Sequence, residues 1–324
     1  MILLRRQFLQ FTGAAVAVAV VSCVATAQGY PTRPITMIIP FPAGGPLDSV
    51  GRVLVERMRP SLGQPIVIEN VSGADGSIGT GRAARAQPDG YTISLGAMAT
   101  HVMNGAFYSL QYDVLNDFAA VTPLVRFPFF LFARRTMPPK DLNELIAWLK
   151  ANPNTASLAF TNTGTRLLGT FLQKETVTQF TLVPYRSPAI PDLVAGHIDL
   201  LLFTPDQVPL MRAGSIKAYA VTSDTRWAVA PEVPTFAEMG LPSFSYFDWF
   251  GLFAPKGTPS DVIGKLNAAA AEALAEPSVR SRLLDLGMEI FPRERQTPEA
   301  LATLEKADAA KWWPIIKESG IRAE

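Results

Sequence analysis

Two short strings in this chain have the make-up of anion-binding corners. Pro40-Phe41-Pro42-Ala43-Gly44-Gly45-Pro46-Leu47-Asp48 follows an apolar run and precedes a helical pattern, and Thr161-Asn162-Thr163-Gly164-Thr165-Arg166 does the same in what reads as a different half of the chain. Glycine lets the backbone run close to a guest, and the first N–H groups of the helix that follows have no internal partner. A negative group at such a corner gains about 0.3–1 kcal/mol from the helix dipole and roughly 1.5–3 kcal/mol from each hydrogen bond to a charged acceptor. About three or four such bonds support a micromolar complex, near −8 kcal/mol, without any Arg or Lys. Either turn alone is ordinary α/β punctuation; the pair in separate halves is the informative feature.

Other chemistry-bearing residues are less specific. The turn Gly73-Ala74-Asp75-Gly76-Ser77-Ile78-Gly79 is neither G-x-G-x-x-G nor followed by Gly-Lys-Ser/Thr, so it holds no nucleotide phosphate by either pattern. It is no nucleophile elbow either, because Asp75, not a glycine, stands two residues before Ser77. Asp48 either meets a guest or caps the first turn of its own helix. Arg166 faces solvent, pairs with a carboxylate or clamps a guest. Asp248, between Phe247 and Trp249, is placed to order a water or accept from a ligand hydroxyl. His101 and His197 fall in separate halves and read as structural residues, as does the Phe127–Phe132 run, which reads as a buried strand. Of Trp312 and Trp313, adjacent on one helix, one is expected to pack and the other to be partly exposed. An exported hydrolase using Ser77 or Ser49 with a His and an Asp is the alternative; it requires a nucleophile within reach of a base.

The elements that must hold these corners alternate between strand-like and helix-like runs, the pattern of βα units. Ile35–Ile39, Ile66–Glu69 and Tyr91–Leu95 are expected strands of a first half, with a helix from Val50 to Pro60 and a short one opened by Gly73–Gly81. A second half is expected to contain a helix over Asp141–Ala151, a strand over Ala156–Phe160, a turn at Thr163–Thr165, a helix over Leu167–Lys174 and strands at Ile198–Phe203 and Ile216–Thr222. After Gly251–Ala254 the chain turns helical, with Thr258-Pro259 and Thr297-Pro298 read as N-cap and first helical residue.

Composition bounds the function. The chain has 324 residues, enough for two domains, with 48% hydrophobic and 18% charged residues. Lys plus Arg total 29 against 28 for Asp plus Glu, and no basic run appears, so nucleic acid is excluded as a partner. One Cys and two His are too few for a Cys/His zinc site, a disulfide framework or a haem pair, and no cofactor or metal is expected. Arg5-Arg6, an uncharged stretch from Phe11 to Val24 and Ala25-Thr26-Ala27 together read as a secretory signal over residues 1–27. The Arg5-Arg6-Gln7-Phe8-Leu9 string is compatible with twin-arginine or general secretion. Cys23 after Val20-Val21-Ser22 is either discarded with the leader or, by a loose lipoprotein box, its anchor.

The opening Tyr30-Pro31-Thr32-Arg33-Pro34-Ile35 with Pro40–Asp48 resembles that of the solute-binding proteins of tripartite tricarboxylate transporters, the Bug or TctC family. The likeness runs on through Leu62-Gly63-Gln64-Pro65, Glu69-Asn70, Asp89-Gly90-Tyr91-Thr92, Val183-Pro184-Tyr185-Arg186, Ala195-Gly196-His197-Ile198-Asp199, Arg212-Ala213-Gly214, Val233–Glu238 and Trp249 with Gly251-Leu252. The resemblance implies an α/β, two-lobed periplasmic binding protein of the Venus-flytrap type: lobe one over 28–124 plus 250–324, lobe two over 125–249, with crossings near Thr122–Phe127 and Phe247–Phe250. It implies a small carboxylate as ligand, the membrane permease subunits of such a transporter as partners, a periplasmic location and a monomer. The ligand carboxylate then falls to Phe41, Ala43, Gly44, Gly45 and Asp48 on lobe one and to Thr163, Gly164 and Thr165 on lobe two, with Thr100 a further lobe-one candidate and Asp248 at the second crossing. Leu47 stands where a small hydroxyl residue is usual, Arg166 falls where Ser and His are common, and Phe203-Thr204 replaces a more polar strand end. The pocket is therefore expected to take a mono- or dicarboxylate with an apolar or aromatic body, stacked among Phe41, Phe203 and Phe247.

Overall fold

The computed structural model describes residues 29–185 and 189–320. The leader features at Arg5, Arg6, Cys23 and Ala25–Ala27 lie outside the described residues, as does Arg186. In chain order the elements are β1 (Ile35–Ile39), α1 (Pro46–Leu62), β2 (Ile66–Asn70), α2 (Ser77–Ala84), β3 (Thr92–Ala97), a π-turn over Ala99–Met103 running into α3 (Asn104–Phe107), β4 (Phe118–Pro128) and β5 (Phe130–Arg134). They continue with α4 (Leu142–Ala151), β6 (Ser157–Phe160), α5 (Thr163–Thr176), β7 (Thr181–Pro184), α6 (Ile190–Ala195), β8 (Leu200–Phe203), α7 (Val208–Arg212) and β9 (Ile216–Val221). The last set is β10 (Phe247–Pro255), α8 (Ser260–Ala275), α9 (Pro277–Asp285), β11 (Glu289–Ile290) and α10 (Pro298–Ser319).

The strands form two sheets, one ordered β11-β4-β10-β3-β1-β2 and the other β7-β6-β8-β5-β9. Ile35, Met37, Ile38 and Ile39 are all fully buried, which is why β1 is a near-continuous apolar run in the interior of its sheet. The second sheet has its own core, where Phe130, Phe132, Leu193, Ile198, Leu201 and Val208 pack together. Each sheet with its helices is a lobe, and lobe one also takes the C-terminal strand β11, which pairs with β4 at Glu289↔Arg126.

The chain passes between lobes at Phe129 and again at Tyr246. β4 and β10 pair antiparallel from Phe247↔Pro128 to Pro255↔Phe118 in the first sheet, while Phe130 already pairs with Phe203 and Val221 in the second. The apolar run Phe127–Phe132 is therefore not one strand but the passage between two. Hydrophobicity could not reveal this, because both ends of the run are buried. Thr222 stitches the crossings side by side: its hydroxyl accepts from the Phe129 amide at 2.9 Å and donates to the Tyr246 carbonyl at 2.7 Å.

Strand direction decides where a guest can sit. β3 runs antiparallel to β10 with Ala97 opposite Phe250, and β1 and β2 are parallel to β3, so all three end toward the crossings. β8 runs antiparallel to β5 with Phe203 opposite Phe130, and β6 and β7 run parallel to β8, so they end there too. The loops at 40–45, 71–76 and 98–103 thus lie toward those at 161–162 and 204–207. Ligands of open α/β sheets bind at such carboxyl ends.

Candidate functional site

The lobe-one corner is built around a buried carboxylate. Gly44, at φ +81°, turns the chain into α1, whose first residue is Pro46. Asp48 is 2% exposed; its Oδ2 accepts from the Gly44 amide at 2.9 Å and from Arg52 Nε at 2.8 Å, and its Oδ1 accepts from Asn70 Nδ2 at 3.0 Å. Asn70 also donates to the Phe41 carbonyl at 3.0 Å. Burial alone raises the Asp48 pKa, but the bonds from Arg52, Gly44 and Asn70 outweigh it and hold the group below the usual carboxylate range. Of the two readings of Asp48, the geometry supports the cap: the carboxylate faces its own loop. The Gly44 amide is accordingly engaged inside the corner, whereas Ala43 is exposed and Phe41 and Gly45 are partly so. Thr100 is fully buried, and its hydroxyl is taken up by Ala97 and by His101 Nδ1 at 3.0 Å, which turns it away from a guest.

On lobe two the expected turn at Thr163–Thr165 is the first turn of α5 itself. Asn162 is its N-cap: Asn162 Oδ1 accepts from the Thr165 amide at 2.9 Å, and Thr165 Oγ1 accepts from the Thr161 and Asn162 amides. Thr163 reaches across to lobe one, where its hydroxyl donates to Asn104 Oδ1 at 3.0 Å. Asn104 Nδ2 in turn donates to the Asp75 carbonyl at 2.9 Å. Burial pushes the Asp75 carboxyl up to about 6, against the lowering effect of Thr163, Tyr108 and the nearby Arg166 charge. Gly164 lies so close that a Cβ there would be 3.0 Å from the Tyr246 hydroxyl and 3.3 Å from Met103 Sδ. The lobe-one elements that meet the second corner are therefore Asp75, Met103 and Asn104.

Two of the three phenyl rings expected to stack around a guest have partners within the protein. Phe203 is 7% exposed and belongs to the lobe-two core, and Phe247 packs against Trp227 at 5.8 Å with the Arg126 guanidinium over its ring. Alternation along β8 hid this, since a strand end can face either a cleft or a core. Phe41 remains as the partly exposed ring. Asp248 is buried at the second crossing, where its carboxylate accepts from the Trp249 amide at 2.7 Å; burial pushes it up to about 7, against the lowering effect of the Trp249 and Met98 backbone.

Comparison with known proteins settles the kinship. Residues 50–321 match the model of the tripartite tricarboxylate transporter family receptor, TctC. The chain belongs to this family. The periplasmic binding protein BugD superposes with a TM-score of 0.86 at 37% identity, covering 91% of this chain and all of BugD. MatC of Rhodopseudomonas palustris, solved with malate, gives 0.85 at 37% identity over 89% of this chain and 100% of MatC. A further R. palustris protein, solved with adipate, gives 0.85 at 30% identity over 90% and 99% of the two chains.

As a TctC-family receptor the protein is a solute-binding module with the two-lobed α/β fold, and membership implies a place outside the cytoplasm. No helix among the described residues is long and apolar enough to cross a membrane. The hydrolase alternative gains nothing from the geometry: Ser77 Oγ accepts from Asn104, His101 is fully buried and stacked on Phe253 at 4.0 Å, and His197 pairs with Asp192. Sequence reasoning missed Asp75, Asn104 and Tyr108. One signal was present, an Asp inside the glycine-bearing turn after β2, in a string that matches neither a nucleotide nor a nucleophile pattern.

Proposed function

We infer that this receptor captures a small carboxylate between its lobes and delivers it to the membrane subunits of a tripartite tricarboxylate-type transporter. The observation that carries the reading is the opposition of carboxyl strand ends across the Phe129 and Tyr246 crossings, with a main-chain corner at 41–45 left open on lobe one. Ala43 and Gly45 supply donors there, braced by Asp48 and Asn70, and Thr163, Gly164 and Thr165 form the opposing wall. The malate and adipate carried by two similar receptors support a carboxylate. Phe41 is placed to meet an apolar or aromatic body, so mono- and dicarboxylates with such a body are the expected class. Closure joins the lobes on one guest and shifts the population toward the shut form by the guest's differential affinity. Isothermal titration against benzoate-, adipate- and citrate-type acids, with recovery of the acid afterward, tests this. Micromolar binding of an apolar acid recovered unchanged is expected; tightest binding to citrate refutes the apolar body, turnover refutes the receptor role, and binding of none of them refutes the carboxylate.

A further inference from the structure

We propose that Trp227 and Gly287 form a clasp that holds the two lobes at the angle seen in the structure, ahead of any guest. The inference concerns lobe geometry and stands whichever acid the cleft takes.

Trp227 belongs to lobe two, where with Val229 it packs against the core of the second sheet. Its indole also meets lobe one: Nε1 donates at 2.7 Å to the carbonyl of Gly287, in the loop between α9 and β11. The indole centroid lies 5.8 Å from that of Phe247, the first residue of β10. Phe247 is held in turn by the Arg126 guanidinium, 5.3 Å from its ring centroid, and Arg126 donates to the Glu289 carboxylate at 2.9 and 3.0 Å. Glu289 opens β11 just after Gly287, so this socket is built from β4, β10 and β11, neighbours in one sheet. A side chain anchored in one lobe and hydrogen-bonded to the main chain of the other resists their separation. Gly287 sets how close the lobes come. A Cβ there would fall inside the contact distance of Pro205 Cβ and lie 3.2 Å from Val229 Cγ2, both residues of lobe two, and only glycine lets the two backbones approach this far. Pro205 begins the loop at the carboxyl end of β8, so the clasp acts on the part of lobe two that faces the cleft. The bond from Thr163 to Asn104 is a second tie between the lobes. Lobes held at this angle present their corners already opposed, so less of a guest's binding energy goes into closing them.

The test measures the distance between lobes by double electron–electron resonance, without added acid. Nitroxide labels go on Ser72→Cys and Pro184→Cys, exposed residues beside the carboxyl ends of β2 and β7, in a chain whose one cysteine is replaced by Cys23→Ser. With the clasp intact, one dominant distance matching the structure is expected. Trp227→Phe keeps a ring against Phe247 but removes the N–H, and Gly287→Ala adds the methyl that meets Pro205; each is expected to lengthen or broaden the distribution. Gly287 has φ +71°, a strain for alanine by itself, so Gly214→Ala serves as the control: it has the same φ, and a Cβ there has no atom within 4 Å. That control is expected to keep the distance of the intact clasp. An intact chain as broadly distributed as the two clasp variants, clasp variants that keep its distance, or a control that shifts as far as Gly287→Ala overturns the proposal. Should Gly287→Ala fail to fold, Trp227→Phe decides by itself.

Discussion

Three donors converge on Asp48, and the shape of the lobe-one corner depends on that convergence. The carboxylate ties Gly44 to α1 and, through Asn70, to the end of β2, while Arg52 covers it from outside. Asp48→Ala leaves the Gly44 amide and the Asn70 amide group without their acceptor, at a cost of about 1–3 kcal/mol. A thermal melt followed by circular dichroism should show a fall of several degrees, and carboxylate affinity should drop along with it because the loop at 41–45 loosens. An unchanged melting temperature would mean that the corner holds its shape without the carboxylate. That an acid stood in the first turn was legible in the sequence; which way it faced was not, because capping and ligand contact place the same residue type at the same position.

Among the elements, local chemistry fixed helix starts only where nothing else competed for the cap. Thr297 Oγ1 accepts from the Ala300 amide at 3.1 Å, as the Thr-Pro signal predicts, whereas the identical signal at Thr258 fails because its hydroxyl donates to the Pro255 carbonyl at 2.8 Å and the helix starts at Ser260. Asp141 caps α4 by accepting from Glu144 at 2.8 Å. The passages between sheets lie at Phe129 and Tyr246, just beside the expected crossings at Thr122–Phe127 and Phe247–Phe250, since a chain leaving one sheet for another keeps its strand conformation and apolar character throughout. Thr222 is the pin of that passage. Thr222→Val keeps the shape but orphans the Phe129 amide and the Tyr246 carbonyl, and is expected to destabilise by about 2–3 kcal/mol. Urea denaturation checks this, and a midpoint equal to wild type would show that the pairing of β4 with β10 holds the crossings without it.

For the molecule as a whole, buried titratable groups set a pH window of stability. Burial holds His101 down to about 3 from 6.5, so the folded chain keeps it neutral while the unfolded chain takes up a proton below pH 6.5, and stability falls as pH drops from there. Burial raises Glu305 from 4.5 to about 8 and leaves its Oε1 without a partner; here the folded state holds the extra proton, and its contribution is full below pH 4.5 and lost as pH rises through 8. Asp248, raised to about 7, acts in the same sense. Between pH 4.5 and 6.5 the gain from His101 offsets only one of the two losses from Glu305 and Asp248, so the melting temperature is expected to be highest near pH 4.5 and to fall from there to about pH 8. Glu305→Gln should flatten that alkaline limb, and an equally steep limb in the variant would assign the loss to other groups.

By itself the sequence determined the alternation of strands and helices, the two glycine-bearing corners and, through ordered motifs along the chain, the family. Those are properties of periodicity and of residues that few backbone shapes admit. Only the tertiary structure decided that Asp48 faces inward, that Phe203 packs in a core, and that Asn104 from one lobe meets Thr163 of the other. Each is a contact between segments distant along the chain, and residue type and spacing carry no record of which segment a side chain will face once the sheets are assembled.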